Sequence, residues 1–443
     1  MLTAKPRQSG QQLIELIIAS GILLMYAHAI FTVILGMYQL ANLTKSEAVA
    51  RAIAVEQMEL LRNLPYDDIG TLGGIPAGNL PQTQVITRNN QDFTVKTDIR
   101  YVDDPFDNTS PGDLLATDYK VAKISVIWSG AFANNKQLDL VTYISPKGVE
   151  NTTGGGTLKI LVFDSQGQPV PQADVSIEAT AASPPVDLDL FTDDNGLIIL
   201  PGAPSCNECY YIEVSKTNYS QDRTYSSSEV TNPTQPWATI LDNQVTEVSF
   251  AIDKLANITW QSTGSRASGF PALGNVTFHL RSGKTIGTDS GGQPVYKLDQ
   301  DYTTDSTGQL LLSMEWDSYQ LTVDNTSYDL AGVNPLTPIS ILPDQSQTIK
   351  FAVIPHQPYN LLAIAKDASG SAIASASAQL TATGFDQTLT TGQSTDPDFG
   401  QAMFENLTSR TYQLTISHPS FAEATASVDV TGNQQQEVIL NPL

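Results

Sequence analysis

From Leu16 to Tyr38 the chain carries no charged residue, His28 being counted as neutral. An apolar run of about 20 residues is long enough to cross a bilayer as a helix. Beyond it, Ala48, Ala52, Val55, Met58 and Leu61 recur at spacings of three and four, while Glu47, Arg51, Glu56 and Glu59 fall elsewhere around the turn. That is the pattern of a helix with one apolar face. No Gly or Pro interrupts it before Pro65, which cannot continue a helix. The pattern predicts one long helix over 11–64, membrane-spanning in 16–38 and amphipathic beyond.

After the helix, the hydrophobic period drops from about 3.6 residues to about 2. Thr83–Thr87, Asp92–Tyr101, Tyr119–Trp128 and Lys136–Ile144 alternate apolar and polar positions, as half-buried strands do. Asn89-Asn90 and Asn134-Asn135 suit the tips of hairpins, with a polar loop over Asp103–Thr117 between them. An antiparallel β head is therefore expected over 65–148, followed by a Gly-rich linker over 149–156.

The remainder repeats itself. Tyr210-Tyr-Ile-Glu-Val214, Tyr319-Gln-Leu-Thr-Val323 and Tyr412-Gln-Leu-Thr-Ile416 share one pattern, and each is trailed by another aromatic: Tyr219, Tyr328 and Phe421. A turn precedes each: Thr192-Asp-Asp-Asn-Gly196, Thr304-Asp-Ser-Thr-Gly308 and Thr395-Asp-Pro-Asp-Phe-Gly400. The spacing is that of small tandem domains. Short strands separated by turns predict three all-β sandwich modules, of immunoglobulin or transthyretin type, over 157–254, 255–355 and 356–443. The second carries a long insertion, Arg281–Asp299, and short connections join the modules near Asp253–Ile258 and Ile354–Tyr359.

The formal net charge of −23 argues against a nucleic-acid partner, since no basic patch offsets phosphate repulsion. Catalytic chemistry has little to stand on. Cys206-Asn-Glu-Cys209 is too small a set for zinc without nearby His. It reads as a redox motif or, outside the cell, as a local disulfide pinning a β-turn, the second being the expectation. His28, His279, His356 and His418 are scattered. Asp-rich turns such as Asp193-Asp194-Asn195 match no full calcium loop and read as turn chemistry. Asn108, Asn151, Asn257 and Asn406 lie in N-x-[ST] triplets, which arise readily in so Thr-rich a chain. No catalytic residue, metal site or cofactor is expected.

Lys5 and Arg7 precede the apolar run, which places that flank in the cytoplasm and everything after Leu40 outside. The run is too long for a cleaved secretory signal, and its small residue, Gly10, lies ahead of it. Glu15 stands at the mouth of the membrane helix, where a carboxylate is costly and usually marks a function; it reads as a snorkelling interfacial charge or as a salt-bridge partner for a positive charge buried beside it. Gly10-Gln11-Gln12-Leu13-Ile14-Glu15 resembles the type IV prepilin signature, with Gln11 where that family usually has Phe. The resemblance implies a leader over 1–10, cut by a prepilin peptidase between Gly10 and Gln11. It further implies N-methylation of Gln11, and Glu15 as the carboxylate that pairs with a neighbouring subunit during filament assembly. The implied fold is a pilin-like α+β N-terminus.

Leu158–Phe163, the Asp164-Ser-Gln-Gly-Gln-Pro-Val turn and Ala173–Glu178 resemble carboxypeptidase regulatory-like domains, echoed by Lys366-Asp-Ala-Ser-Gly. That resemblance implies a spacer or surface-binding role. Collagen-adhesin B-type modules are similar too and form a Lys–Asn isopeptide bond. Lys366 and Asn441 sit at matching places, but Ile416 or Ser417 occupies the position of the required acid, so no bond is expected. The expected function is a minor pilin or pseudopilin that displays adhesive modules at the cell surface. Its expected partners are a prepilin peptidase, other pilin subunits, the membrane and an unspecified surface ligand. The alternative is a signal-anchored surface receptor that never joins a filament.

Overall fold

The computed structural model describes residues 9–74, 76–102, 118–130, 133–146, 155–323 and 326–443. The leader before Ser9, the loop over Asp103–Thr117, most of the linker, Asn108 and Asn151 lie outside them. The described chain forms one long N-terminal helix followed by β-sheets. It divides into two compact units: residues 1–158 with 199–204 and 241–245, and the remainder.

In the first unit, helix α1 spans Ser9–Arg62, about 80 Å at 1.5 Å per residue. The strands β1 (Thr83–Arg88), β2 (Gln91–Val102), β3 (Tyr119–Gly130) and β4 (Ala133–Ile144) follow in a purely antiparallel sheet, in chain order. Asn89 and Asn90, at φ 53° and 59°, turn β1 into β2. Consecutive left-handed residues are what a tight hairpin needs to match strand twist. Asn134 and Asn135 do not turn the second hairpin: they belong to β4, which already pairs Gly130 with Ala133. Asn tolerates a turn but does not force one when the ladder can extend past it.

The C-terminal part of α1 packs on one face of this sheet. Ala50, Ile53, Ala54, Met58 and Leu61 are buried against Phe93, Val95, Ile99, Ile124, Val126 and Trp128. The buried stripe therefore runs through Ala50, Ile53 and Ala54, whereas Ala48, Ala52 and Val55 face solvent. Two apolar stripes share Met58 and Leu61, and the one containing Ile53 buries more surface.

In the second unit, residues 256–355 make two four-stranded sheets around one core of Trp260, Phe278, Leu321, Ile349 and Phe351. Residues 360–440 make a four-stranded and a three-stranded sheet around Leu361, Phe404, Tyr412 and Leu414. Each is a β-sandwich. In both, the first long strand pairs in parallel with the last: Ala256–Thr263 with Ser346–Pro355, and Asn360–Asp367 with Asn433–Leu440. In the first module, Cys206–Ser215, Asp174–Ala179 and Val186–Phe191 lie side by side in that order. The module's remaining long strands, Gly156–Phe163, Leu197–Ala203 and Val245–Ala251, are divided between the units.

Candidate functional site

Gly10, Gln11 and Glu15 lie on the opening turns of α1, and their side chains fall outside the described residues. From Ile18 to Leu40 the described large apolar side chains of the helix are exposed, between 42% and 77%. Among the described residues α1 alone is long and apolar enough to cross a membrane. His28 is exposed in the middle of that stretch. The same helix thus carries an exposed apolar stretch and, from Ala50 on, a buried core stripe.

Where α1 ends, Lys120 is buried in the head. Its Nζ donates to the carbonyls of Tyr66 and Ile69, both at 3.0 Å, and stands 4.3 Å from the Tyr66 ring centroid. The chain leaving the helix is thus tied to β3.

The repeated Asp turns are closed by backbone bonds. Asp164, Asp193, Asp289, Asp305 and Asp367 each accept, through Oδ1, the N–H groups two and four residues on. The Gly three residues on has positive φ in every case, 68–84°. Each of these carboxylates commits one of its two oxygens to its own loop. Among the described residues no group of three or more His, Cys, Asp or Glu is placed to hold a metal ion. Cys206 and Cys209 form a disulfide within the strand Cys206–Ser215, with Glu208 at φ 46° between them. Lys366 Nζ meets Glu437, on the last strand of its own sandwich.

The densest chemistry sits where the modules join. The insertion of the second module folds as a hairpin, Thr285–Thr288 with Pro294–Tyr296, and its first strand pairs with Asn232–Pro233 of the first module. Gly287, at φ 152°, allows that approach: a Cβ there would stand 2.3 Å from the Asn232 carbonyl oxygen. Beside it, Lys284 and Lys297 converge on Glu315 at 2.7 and 2.9 Å, and Lys297 Nζ donates to the Gln221 carbonyl of the first module at 2.8 Å. Burial holds Lys284 below its ordinary pKa despite Glu315, and pushes Asp222 up despite Lys297.

Between the second and third modules the central residue is Asp329, whose side chain is 2% exposed. It accepts from the Gln357 N–H at 2.7 Å, Asn360 Nδ2 at 2.8 Å and Asn433 Nδ2, with His356 Nδ1 at 2.9 Å. A second clasp comes from the segment between Thr391 and Gly400. Asp396 and Ser394 carbonyls accept from Asn334 Nδ2, the Thr395 carbonyl accepts from Lys350 Nζ, and Asp398 binds Arg266 Nε at 2.9 Å. Gln401 reaches both the N–H and the carbonyl of Val333, at 3.1 and 2.8 Å.

That segment corrects the repeat seen in the sequence. Thr192 Oγ1 accepts from Ala173 N–H and donates to the Val170 carbonyl; Thr391, not Thr395, makes the same pair of bonds with Ala376 and Ile373. Gly196, Gly308 and Gly400 are equivalent, each accepting from a first-strand N–H. The third turn is therefore longer than the other two, and its extra residues are those that hold the second module. Nothing local announces Asp329 as a site: its donors arrive from up to 104 residues away.

No family model matches the chain, and no curated protein does. Among solved structures, the Bacillus anthracis TIE protein is similar over 82% of this chain and 73% of its own, at 12% identity and a TM-score of 0.19. The streptococcal ancillary pilin is similar over 65% of this chain and 99% of its own, at 14% identity and a TM-score of 0.18. The shaft pilin SpaA from Lactobacillus rhamnosus GG matches 43% of this chain and 98% of its own, at 12% identity and a TM-score of 0.18. Superpositions this loose carry neither fold nor function from those proteins to this one.

Proposed function

We propose that this chain is a prepilin-like membrane protein, a minor pilin or pseudopilin that carries β-sandwich modules outside the cell for surface adhesion. On this reading a prepilin peptidase removes residues 1–10, leaving Gln11 as the N-terminus and methylation site. The helix remains in the membrane over 16–38, and Glu15 pairs with another pilin subunit during assembly. The head is 65–148, and the modules 157–254, 255–355 and 356–443 are its distal cargo.

The observation that carries the reading is the order of features along one helix. Gly10 and Glu15 come first, then an uncharged run, then a face that packs on a four-stranded antiparallel sheet. A carboxylate ahead of a membrane span needs a cation to offset its desolvation, and a newly freed N-terminal amine supplies one. Cargo of nearly 300 residues is hard to fit at every subunit of a dense filament, which favours a minor position.

The test is the N-terminal mass of protein isolated from its native membrane, with and without the peptidase. The expected result is a start at Gln11 only when the peptidase is present, with a Glu15→Ala variant still cut but missing from sheared filaments. A Met1 start in both preparations would leave a signal-anchored surface receptor as the better account. Protein found continuously along filaments as their main subunit would overturn the minor role.

A further inference from the structure

A cleft of about 530 Å³ opens beside the joint of the second and third modules. Its walls are the short helical turn at Arg266, the strand Phe385–Thr390 and the segment from Ala402 to Glu405; Ala331 and Ala352 form its floor. Gln387, Thr388, Leu389 and Thr390 all line it. Successive residues of a strand point to opposite faces of the sheet. Four in a row can border one cleft only if it is the edge of the strand, not a face, that looks into it.

Phe385–Thr390 is indeed the end strand of its sheet, paired on one side with Ser377–Ala382 alone. An unpaired edge offers alternating N–H and carbonyl groups to another extended chain. At one end the offer is already closed, because Arg266 Nη1 donates to the Thr390 carbonyl. Arg266 is itself neutralised by Asp398, at 2.6 Å. The remaining charged residue of the lining, Glu405, has no hydrogen-bond or ion-pair partner among the described residues. It is half-buried, and burial pushes its carboxyl above the ordinary range. A desolvated carboxylate without a cation is a cost that a bound cation removes.

We propose that this cleft binds an extended peptide that adds as a strand to the free edge at Phe385–Leu389 and sets a lysine or arginine side chain against Glu405. The main chain supplies affinity through the ladder, and the apolar floor and Glu405 select the side chain, as in other strand-addition sites. The net charge of −23 works in the same direction, drawing basic partners to the surface. This goes beyond the reading of the N-terminus and stands apart from it: the fate of Gly10 does not bear on the cleft, nor the cleft on Gly10.

The experiment uses the full chain in detergent and synthetic heptapeptides Thr-Val-Thr-Xaa-Thr-Val-Thr with Lys, Gln or Glu at the centre. Hydrogen exchange and fluorescence anisotropy report where and how tightly each binds. The Lys peptide should protect the amides of Asp386 and Thr388, which share the open edge with the Thr390 carbonyl, and bind about tenfold or more tightly than the Glu peptide, a difference of about 1.4 kcal/mol or more. Glu405→Gln should abolish the preference while leaving the thermal melt in place, since Glu405 makes no bond the fold depends on. Absence of protection with every peptide, protection confined to other strand edges, or a Lys preference that survives Glu405→Gln would overturn the proposal.

Discussion

A single residue type recurs with a single task in this chain. The aspartates at 164, 193, 289, 305 and 367 begin a loop whose fourth residue is glycine, and each uses one oxygen to gather the loop's N–H groups. The consequence for pH follows from which protonation state those bonds prefer. The Gln309 N–H, aided by Thr307, holds Asp305 below its ordinary 3.8, and the Ser369 hydroxyl with the Ser371 N–H does the same for Asp367. A carboxylate whose pKa is depressed by folding adds stability that is complete above the ordinary value and is lost as pH falls through the folded one. The modules should therefore lose stability below pH 3.8, and Asp305→Asn with Asp367→Asn should flatten that loss, because an amide oxygen keeps the turn without titrating. Acid unfolding followed by circular dichroism checks this; equal acid sensitivity in both proteins would refute it.

Elements show where reading the chain succeeds and where it cannot. The Asp-x-x-Gly turns and the alternating strands of the head were legible because their causes lie within a few residues. The buried face of α1 was misplaced by a fraction of a turn, because Ala48, Ala52 and Val55 offer a second apolar stripe that only the sheet rejects. The insertion Arg281–Asp299 was visible as an insertion, yet its purpose depends on Asn232–Pro233, more than 50 residues earlier. Gly287→Ala tests that purpose. A side chain there meets backbone at 2.3 Å and a φ of 152°, and should destabilise the hairpin by more than about 1 kcal/mol. Exchange of the Thr234 amide, which donates to the Ile286 carbonyl, should speed up while the core of the second sandwich stays protected.

At the scale of the whole molecule, modules 2 and 3 are coupled through a carboxylate that the sequence does not distinguish from any other. Asp329 gathers groups from the connection, from the first strand of the third sandwich and from its last. Removing a buried acceptor shared by several donors leaves those donors unpaired, at a cost of about 3 kcal/mol. Asp329→Ala should therefore split the calorimetric transition, with the third sandwich melting ahead of the second. A single transition at unchanged temperature would show that the other clasp suffices alone.

The inserted hairpin and the lengthened turn share a direction. The hairpin that reaches back to the first module belongs to the second, and the lengthened turn that reaches back to the second belongs to the third. Through these two segments each follower holds on to the one before it, while Asp329 reaches the other way. For these two segments, a chain made from its N-terminus onward presents a formed seat to the piece still emerging, whereas Asp329 is completed only when the third module supplies its donors. Cutting the chain back from its C-terminus should leave intact shorter proteins, whereas shuffling the modules would bring hands to places with nothing to grasp. The sequence order of the modules is in this sense an instruction for their assembly.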